Sequence, residues 1–367
     1  MRHGTTLALA AAITLALASA IGASAATISI PNASFEDPLL ADEAFAGPDG
    51  PISGWSFSTT GTVSADDYDW GVWNPPAAAF DGPPPDGDNV TLVFYAGDVG
   101  VGEMVLAHAT ASPLQAALRY ELTVQVGDLS SAFAAVYDGF PGARAELRAG
   151  GALLASGGPD LAIEGLFSPI TVAYVAPPDL AQLGEPIEVR LVATNESPGG
   201  GLAWDSVSLT TTEVEAYEFT LADGEGSVSG LLSFVPSASV SLAIPAAATM
   251  QITNASGDLA PFASIDWTNG SLTAYESGGR HYLSVFASGN EDGIELAFDA
   301  AFDLSGALPL GGFSPDASAA YLLEAEAFHG GDPGADVALT RVPEPDATQL
   351  ALAAVLALAV RARRRAA

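Results

Sequence analysis

The strongest constraint on the fold is a two-residue alternation of apolar and polar side chains in short segments. Residues 120–126 (Tyr-Glu-Leu-Thr-Val-Gln-Val) and residues 187–191 (Ile-Glu-Val-Arg-Leu) alternate without a break. Successive side chains of a β-strand point to opposite faces, so this period is typical of strands with one buried face. Gly and Pro clusters separate such segments, and no long stretch between the chain ends keeps a helical period. The pattern predicts antiparallel β-sandwiches.

Two series of predicted strands follow one another along the chain. The first series comprises residues 92–95, 120–126, a hairpin over 145–155 that turns at Gly150-Gly151, 171–175, 187–191 and 207–210. The second comprises 217–221, 228–234, 240–244, 264–268, 281–286, 294–298 and 337–340. The polar residues Thr211-Thr212-Glu213 separate the two series. We therefore expect an all-β protein with two sandwich domains, residues 27–212 and 213–341.

Charge and composition exclude several classes of function. The 367-residue chain has 44 acidic and 11 basic residues, a net charge of -33, which repels phosphate backbones and argues against a nucleic-acid partner. It has no cysteine, so disulfides, thiolate metal sites and cysteine nucleophiles are excluded. No H-E-x-x-H, G-x-S-x-G or P-loop pattern occurs. These features favour a non-enzymatic protein over an enzyme.

Both chain ends have the composition of targeting signals. Residues 1–26 combine Arg2, an apolar stretch and the small residues Ala23-Ser24-Ala25, which together predict a cleaved secretory signal peptide. At the other end, Pro343-Glu344-Pro345 precedes an apolar stretch and an arginine cluster at 361–365.

That C-terminal order of parts resembles the PEP-CTERM sorting signal of Gram-negative bacteria and covers residues 342–367. The resemblance implies transient membrane insertion of a hydrophobic C-terminal helix and cleavage by an exosortase-type protease. It also implies delivery to the cell surface or the extracellular matrix. An ordinary tail anchor is the alternative.

Aromatic and polar residues gather in the loop-like stretch 66–76, Asp-Asp-Tyr-Asp-Trp-Gly-Val-Trp-Asn-Pro-Pro. Flat aromatic faces stack on sugar rings, and neighbouring carboxylates and amides bind sugar hydroxyls. We therefore predict a polysaccharide site at Trp70 and Trp73, with Tyr95 as a further ligand-binding residue. In the alternative, the two tryptophans close the end of the sandwich and Tyr95 belongs to the core.

Asp205 is the carboxylate that the strand pattern singles out. Regular alternation in Trp204-Asp205-Ser206-Val207-Ser208-Leu209 places Asp205 on the same face as Val207 and Leu209, which is the core side. A buried carboxylate must be protonated, hydrogen-bonded or bound to a metal. If the strand begins one residue later, Asp205 instead faces solvent.

The two ends of the first domain resemble the galactose-binding-like jelly rolls of carbohydrate-binding modules. Residues 30–36 (Ile-Pro-Asn-Ala-Ser-Phe-Glu) open the domain, and an Asp-x-Val-x-Leu pattern that begins at Asp205 closes it. In that family the first and last strands lie close together, and a structural Ca²⁺ often joins them. The resemblance implies that Glu36 and Asp205 are calcium ligands.

Residues 71–75 and 85–90 also resemble the hapalindole-type (Stig) cyclases, which are secreted, calcium-binding jelly rolls that rearrange an indole–terpenoid substrate. Those enzymes use an aspartic acid as the general acid. The resemblance implies this role for Asp205, with a raised pKa. Our leading hypothesis from the sequence is a non-enzymatic surface or matrix protein that binds polysaccharide through a calcium-stabilised jelly roll. The alternatives are a Stig-cyclase-like or carboxylate-based enzyme that uses Asp205, and a purely structural matrix protein.

Overall fold

The computed structural model describes residues 25–342, with gaps. The gaps are 48–50, 63–67, 96–101, 132, 134–138, 179, 195–199, 223–225, 236–245, 258, 265–269, 278, 287–292, 300–307, 309, 311–317, 323–326 and 331–335. Residues 1–24 of the predicted signal peptide and residues 343–367 of the predicted sorting signal, with Pro343, Glu344 and Pro345, lie outside the described residues. Within them, no helical segment has the length and apolar character needed to cross a bilayer. The chain divides into two compact units, of which the first spans Ala26–Thr211 and the second begins at Thr212.

Twelve strands begin among the described residues of the first unit. They are β1 (Ala26–Ile28), β2 (Phe45–Ala46), β3 (Ser56–Thr59), β4 (Tyr68–Trp73), β5 (Val90–Tyr95), β6 (Glu103–Pro113), β7 (Leu118–Asp128), β8 (Ala143–Ala149), β9 (Ala152–Gly157), β10 (Phe167–Val175), β11 (Pro186–Thr194) and β12 (Gly201–Glu213). One sheet has the order β10-β7-β12-β5-β4-β2, with β1 also paired to β12. The other has the order β3-β6-β11-β8-β9. The all-β, antiparallel, sandwich-like fold class is therefore confirmed.

The alternating segments supply the core between these two sheets. Leu122 and Val124 of β7 and Val189 and Leu191 of β11 belong to one buried apolar cluster, so the inward residues of both sheets meet there. The polar residues between them point away from that cluster, as the period of two predicts. Burial of these side chains is the main favourable contribution to the stability of the first unit.

The predicted hairpin is also confirmed. Strands β8 and β9 pair with Ala149 opposite Ala152, and Gly150 and Gly151 form the two-residue turn between them. Both glycines have positive φ, 54° and 82°, which is the backbone conformation that such turns require. Glycine adopts this conformation without the steric cost that a side chain would impose.

The stretch that we expected to be loop-like forms a strand. Residues 68–73 form β4, which pairs with β5 from Tyr68 opposite Tyr95 to Trp73 opposite Val90. Trp70 and Val72 pack against the core between the sheets, whereas Trp73 belongs to a separate cluster on the other side of the same sheet. The two tryptophans therefore lie on opposite faces of one sheet. Three residues apart in a strand, they could not have shared a face.

The nine described strands of the second unit form one antiparallel sheet. Neighbours in this sheet are consecutive in the chain, except that the last strand lies beside the first. The strands are β13 (Glu215–Ala222), β14 (Gly226–Phe234), β15 (Ala246–Gly257), β16 (Gly270–Ser277), β17 (Arg280–Phe286), β18 (Gly293–Phe298), β19 (Ala319–Leu322), β20 (Ala327–Gly330) and β21 (Asp336–Arg341), with β21 beside β13. Of the predicted strands, 240–244 lies outside the described residues. Ser264 ends a 3₁₀ turn (Ala260–Ser264) rather than beginning a strand.

The second unit has its own apolar core. Tyr217, Phe234, Phe262 and Phe298 are fully buried members of one cluster, which shares no residue with the cores of the first unit. The rings of Tyr217 and Phe234 lie nearly parallel with their centroids 6.2 Å apart. The backbone N–H of Leu308 donates a hydrogen bond of 2.6 Å to the Tyr217 hydroxyl.

Candidate functional site

Asp205 lies where β12 exchanges one neighbour for another. Residues 201–204 of β12 pair with β5, whereas its residues 209–211 pair with β1. Between these two stretches Ser206 has a φ of 53°, and Val207 N–H donates a hydrogen bond to the Ala33 carbonyl. The first and last strands of the unit thus lie side by side.

The change at Ser206 corrects our expectation of the face that Asp205 occupies. Trp204 and Val207 belong to the same core cluster although they are three residues apart, so the regular alternation is interrupted between them. Asp205 therefore lies on the face of Ala203, away from Val207 and Leu209. Its side chain is nevertheless fully buried, with 0% of its surface exposed.

A loop between β4 and β5 brings Glu36 and Asp205 to the same place. The N–H of Asp86 donates a 2.9 Å hydrogen bond to Asp205 Oδ2, and the N–H of Ser206 donates one of 2.6 Å to Oδ1. The N–H groups of Asp88 and Asn89 donate to Glu36 Oε1 at 2.9 Å and 2.7 Å. The two residues predicted as calcium ligands are thus held by neighbouring residues of one loop.

Gly87 permits this close approach of the loop. Its φ is 84°, and a Cβ atom at this position would come within 2.3 Å of Glu36 Oε1. Any residue with a side chain would therefore displace the Glu36 carboxylate from the two N–H groups that donate hydrogen bonds to it. The segment Pro85-Asp86-Gly87-Asp88-Asn89 builds a junction between the opening and the closing segments of the unit.

The environment of Asp205 favours its protonated form. Burial, followed by the negative charges of Asp86 and Glu36, raises its pKa from the ordinary value of 3.8 to about 7, although its two backbone hydrogen bonds act in the opposite direction. The carboxyl group is therefore able to hold a proton near neutral pH. A cation at the junction would reverse this effect, since it would stabilise the carboxylate.

The junction has further oxygen atoms suited to a hard cation. Asn89 is fully buried, and its Oδ1 atom has no hydrogen-bond partner within the described structure. Its Nδ2 group donates to the Pro38 carbonyl at 3.1 Å, so the amide orientation leaves the acceptor unsatisfied. The described residues contain no group of three or more His, Cys, Asp or Glu side chains arranged for a metal. A calcium site here would therefore combine two carboxylates with amide and backbone oxygens, which fits the preference of Ca²⁺.

A separate pocket of about 230 Å³ opens on the side of the first sheet that faces away from the sandwich core. Its lining consists of apolar side chains and one carboxylate: Phe45, Asp69, Trp73, Leu92, Phe94, Leu129 and Phe133. Asp69 and Phe94 are directly opposite each other on β4 and β5. Gly71 lies between Asp69 and Trp73 on the same face of β4, where the backbone of Ala46 and Gly47 approaches so closely that it leaves no room for a Cβ atom.

Asp205 lies on the same side of the sheet as this pocket but does not line it. Its neighbour on that face, Ala203, belongs to the apolar cluster that contains Trp73 and Leu129, both of which line the pocket. The pocket and the junction are thus connected through one layer of packed side chains.

The three residues predicted to bind polysaccharide are all packed against other side chains. Trp70 stacks on Phe57 with the ring centroids 4.1 Å apart and the planes inclined by 5°. Trp73 is 6% exposed and contacts Phe133. Tyr95 is fully buried, and its hydroxyl donates a 2.8 Å hydrogen bond to the Ala193 carbonyl. Of the three, Trp73 alone lines the pocket.

Sequence reasoning missed most of the pocket lining. Phe45, Phe94, Leu129 and Phe133 were not singled out, and Asp69 was noted only as part of the aromatic stretch. The available signal was the strand period itself, because an alternating β4 places Asp69, Gly71 and Trp73 on one face. The contributions of β2 and of the segment after β7 depend on long-range pairing that no local pattern encodes.

The family model of the HpiC1 cyclase matches residues 26–210, just over half of the 367-residue chain. The chain therefore belongs to the HpiC1-like cyclase family, and the match ends where the first unit ends. No curated protein matches this sequence.

Several solved structures resemble about half of the chain. One is the Stig cyclase Fisc from Fischerella sp. TAU in complex with (3Z)-3-(1-methyl-2-pyrrolidinylidene)-3H-indole, with 31% identity, a TM-score of 0.48, and coverage of 52% of this chain and 99% of that one. A second is a cyclase from the same organism in complex with 4-(1H-indol-3-yl)butan-2-one, with 29% identity, a TM-score of 0.45, and coverage of 51% and 98%. A third is a family 11 carbohydrate-binding module from Clostridium thermocellum, with 11% identity, a TM-score of 0.27, and coverage of 46% and 95%.

Proposed function

We propose that the first unit is a cyclase-type enzyme that binds a small, largely apolar ring compound and assists an intramolecular ring closure by proton transfer. The observation that carries this proposal is an apolar pocket close to the buried carboxyl group of Asp205, which is able to hold a proton. Membership of the HpiC1-like family supports the same reaction class. Our earlier preference for a non-enzymatic protein gives way to this proposal.

In the proposed reaction, Asp205 is the acid. Because Asp205 lies outside the pocket lining, the proposal requires the reacting end of the substrate to extend from the pocket past Ala203 to the carboxyl group. The carboxyl group donates its proton to a carbon–carbon double bond there, the resulting carbocation forms a new carbon–carbon bond within the same molecule, and the carboxylate takes a proton back from the product cation. The product is then an isomer of the substrate, and no oxidant or other reactant is needed. A pKa near 7 suits this role, because a substantial fraction of the acid keeps its proton at neutral pH and still donates it readily.

The aromatic lining supports the same reaction. The rings of Trp73, Phe94 and Phe133 present π-faces and edges to the bound molecule, and π-faces stabilise neighbouring positive charge. The apolar surroundings also limit the water that would quench a carbocation.

We include a structural Ca²⁺ in the proposal, held by Glu36, Asp205 and Asn89 together with backbone oxygens. When bound, the ion would tie the opening and closing segments of the unit together. Because a cation lowers the pKa of a carboxyl ligand, calcium binding and proton donation by Asp205 would compete. Export and sorting to the cell surface also remain part of the proposal, on the basis of residues 1–26 and 342–367.

The test uses 3-geranylindole, an indole that carries a terpenoid chain, and mass spectrometry to detect a cyclised isomer of equal mass. We expect turnover by the wild-type protein in the presence of a chelator and at least an approximately hundredfold decrease in kcat for Asp205→Asn. Asp160→Asn is the matched control, since Asp160 is an exposed residue of the same unit, outside the pocket. Full turnover by a folded Asp205→Asn protein would contradict the assignment of the acid. Turnover lost in Asp69→Asn alone would transfer that role to the pocket carboxylate.

A further inference from the structure

The pocket has one charged lining residue, and its charge is negative. Asp69 is exposed towards the pocket side of β4, and its cross-strand neighbour is Phe94. The other lining residues are four aromatic and two leucine side chains. A neutral apolar ligand would gain nothing from a carboxylate at this position, since the carboxylate would lose hydration without gaining a partner.

The protein supplies no cation for Asp69 within the described residues. The chain has no lysine, and the first unit contains four arginines. Each of them forms a salt bridge with glutamate: Arg119 with Glu121, Arg144 with Glu103 and Glu146, Arg148 with Glu146, and Arg190 with Glu188. The positive charges of the unit are thus already neutralised away from the pocket.

The aromatic rings of the pocket suit an organic cation. Phe45, Trp73, Phe94 and Phe133 surround a space bounded by Asp69, and the ring centroids of Trp73 and Phe133 are 5.7 Å apart. Aromatic faces combined with a carboxylate attract ammonium groups through the ring quadrupole and through Coulomb attraction. A metal ion is disfavoured, because Ca²⁺ takes six to eight oxygen ligands and the lining offers one carboxylate.

We propose that the pocket selects ligands in which a ring system carries a positively charged amine, and that Asp69 is the residue that sets this preference. This inference rests on the proposed function to the extent that both take the pocket as the ligand site. The positive charge in question belongs to the free ligand and is distinct from the carbocation that forms during the proposed reaction.

The test compares two indoles that differ in charge, using isothermal titration of the full chain at pH 7. Tryptamine carries an ammonium group, whereas 4-(1H-indol-3-yl)butan-2-one is neutral. We expect the wild-type protein to bind tryptamine at least about tenfold more tightly, and added salt to weaken the binding of tryptamine alone. In Asp69→Asn the ratio of the two affinities should fall towards one. Asp160→Asn should keep the wild-type ratio.

The outcomes separate the two proposals. Equal affinities for the two indoles would overturn the inference alone, because the neutral ligand would still occupy the pocket. A preference for tryptamine that persists in Asp69→Asn would also overturn it, since the preference would then come from the overall charge of -33. Failure of both indoles to bind would count against the proposed function and this inference together. Thermal melting of each variant verifies that it is folded.

Discussion

At the scale of single residues, Asp205 shows how burial and hydrogen bonding compete for one proton. Two backbone N–H groups favour the carboxylate, whereas burial and the nearby charges of Asp86 and Glu36 favour the neutral acid. The balance raises the pKa to about 7, so the folded protein binds this proton more tightly than the unfolded chain does. The contribution of Asp205 to stability is therefore fully present below about pH 4 and is lost as the pH rises towards 7.

This linkage gives a prediction for stability in the presence of a chelator. Between pH 4 and pH 7, the free energy of unfolding of the wild-type protein should decrease more than that of Asp205→Asn, whose amide does not titrate. Urea unfolding followed by tryptophan fluorescence measures both slopes. Comparison of the two proteins cancels the effect of the many other acidic groups. Parallel pH profiles would show that the surroundings of Asp205 do not shift its titration.

Calcium should act on the same residue in the opposite direction. At pH 7 we expect millimolar Ca²⁺ to raise the melting temperature of the first unit in the wild-type protein, because the ion binds the folded state preferentially. Asp205→Asn and Glu36→Gln should lose most of this shift, whereas Asp160→Asn should keep it. An equal shift in all four proteins would contradict the proposed calcium site and would indicate general screening of negative charge.

The sequence predicted the burial of Asp205 but not its face. Burial follows from the apolar residues on either side, which mark a strand in the interior. The face depends on Ser206, whose positive φ interrupts the alternation, and serine is not a residue that signals this conformation. Local patterns also could not predict the hydrogen bonds that the loop donates to Glu36 and Asp205. Glu36 is more than 50 residues from the loop in sequence, and Asp205 more than 100.

At the scale of elements, β12 pairs with three strands, β7, β5 and β1, and its interruption falls between the residues that pair with β5 and those that pair with β1. Before Ser206 the strand pairs with β5, and beyond it with β1. The change at Ser206 places Trp204 and Val207 in the same core, while Asp205 stays on the face of Ala203 and accepts a hydrogen bond from the loop. A single residue thus couples the packing of the sandwich to the geometry of the junction.

Glycine substitutions in β12 test this interpretation. Ser206→Gly should leave the free energy of unfolding unchanged or raise it by up to about 1 kcal/mol, because glycine adopts a positive φ without strain. Ser208→Gly is the matched control at an exposed, regular position of the same strand, and it should lower stability by about 0.5–1 kcal/mol. Chemical denaturation measures both. An equal loss in the two variants would show that Ser206 is not strained.

At the scale of the whole molecule, the chain contains two units with separate cores. The core of the first unit includes Leu122, and that of the second includes Leu296, both almost fully buried. Strand patterns alone predicted most of the elements in both. Their assembly into two facing sheets in one unit and one nine-stranded sheet in the other was not encoded locally, since strand order depends on pairing between distant segments.

Separate cores predict separable unfolding. Leu122→Ala and Leu296→Ala are matched substitutions that each remove buried methyl groups, at an expected cost of about 2–5 kcal/mol. In differential scanning calorimetry we expect Leu122→Ala to lower one transition and Leu296→Ala to lower the other. A single transition that both variants shift equally would show that the two units unfold as one.

The pairing of β1 with β12 has a consequence for the order in which the polypeptide is built. The opening strand stays without its neighbour until the chain has been synthesised beyond Thr211, so the first unit is unable to close during most of its translation. Before that point β5 and β7 also lack the strand that lies between them in the finished sheet. The first unit can therefore complete its fold only after residues 209–211, which pair with β1, have been synthesised.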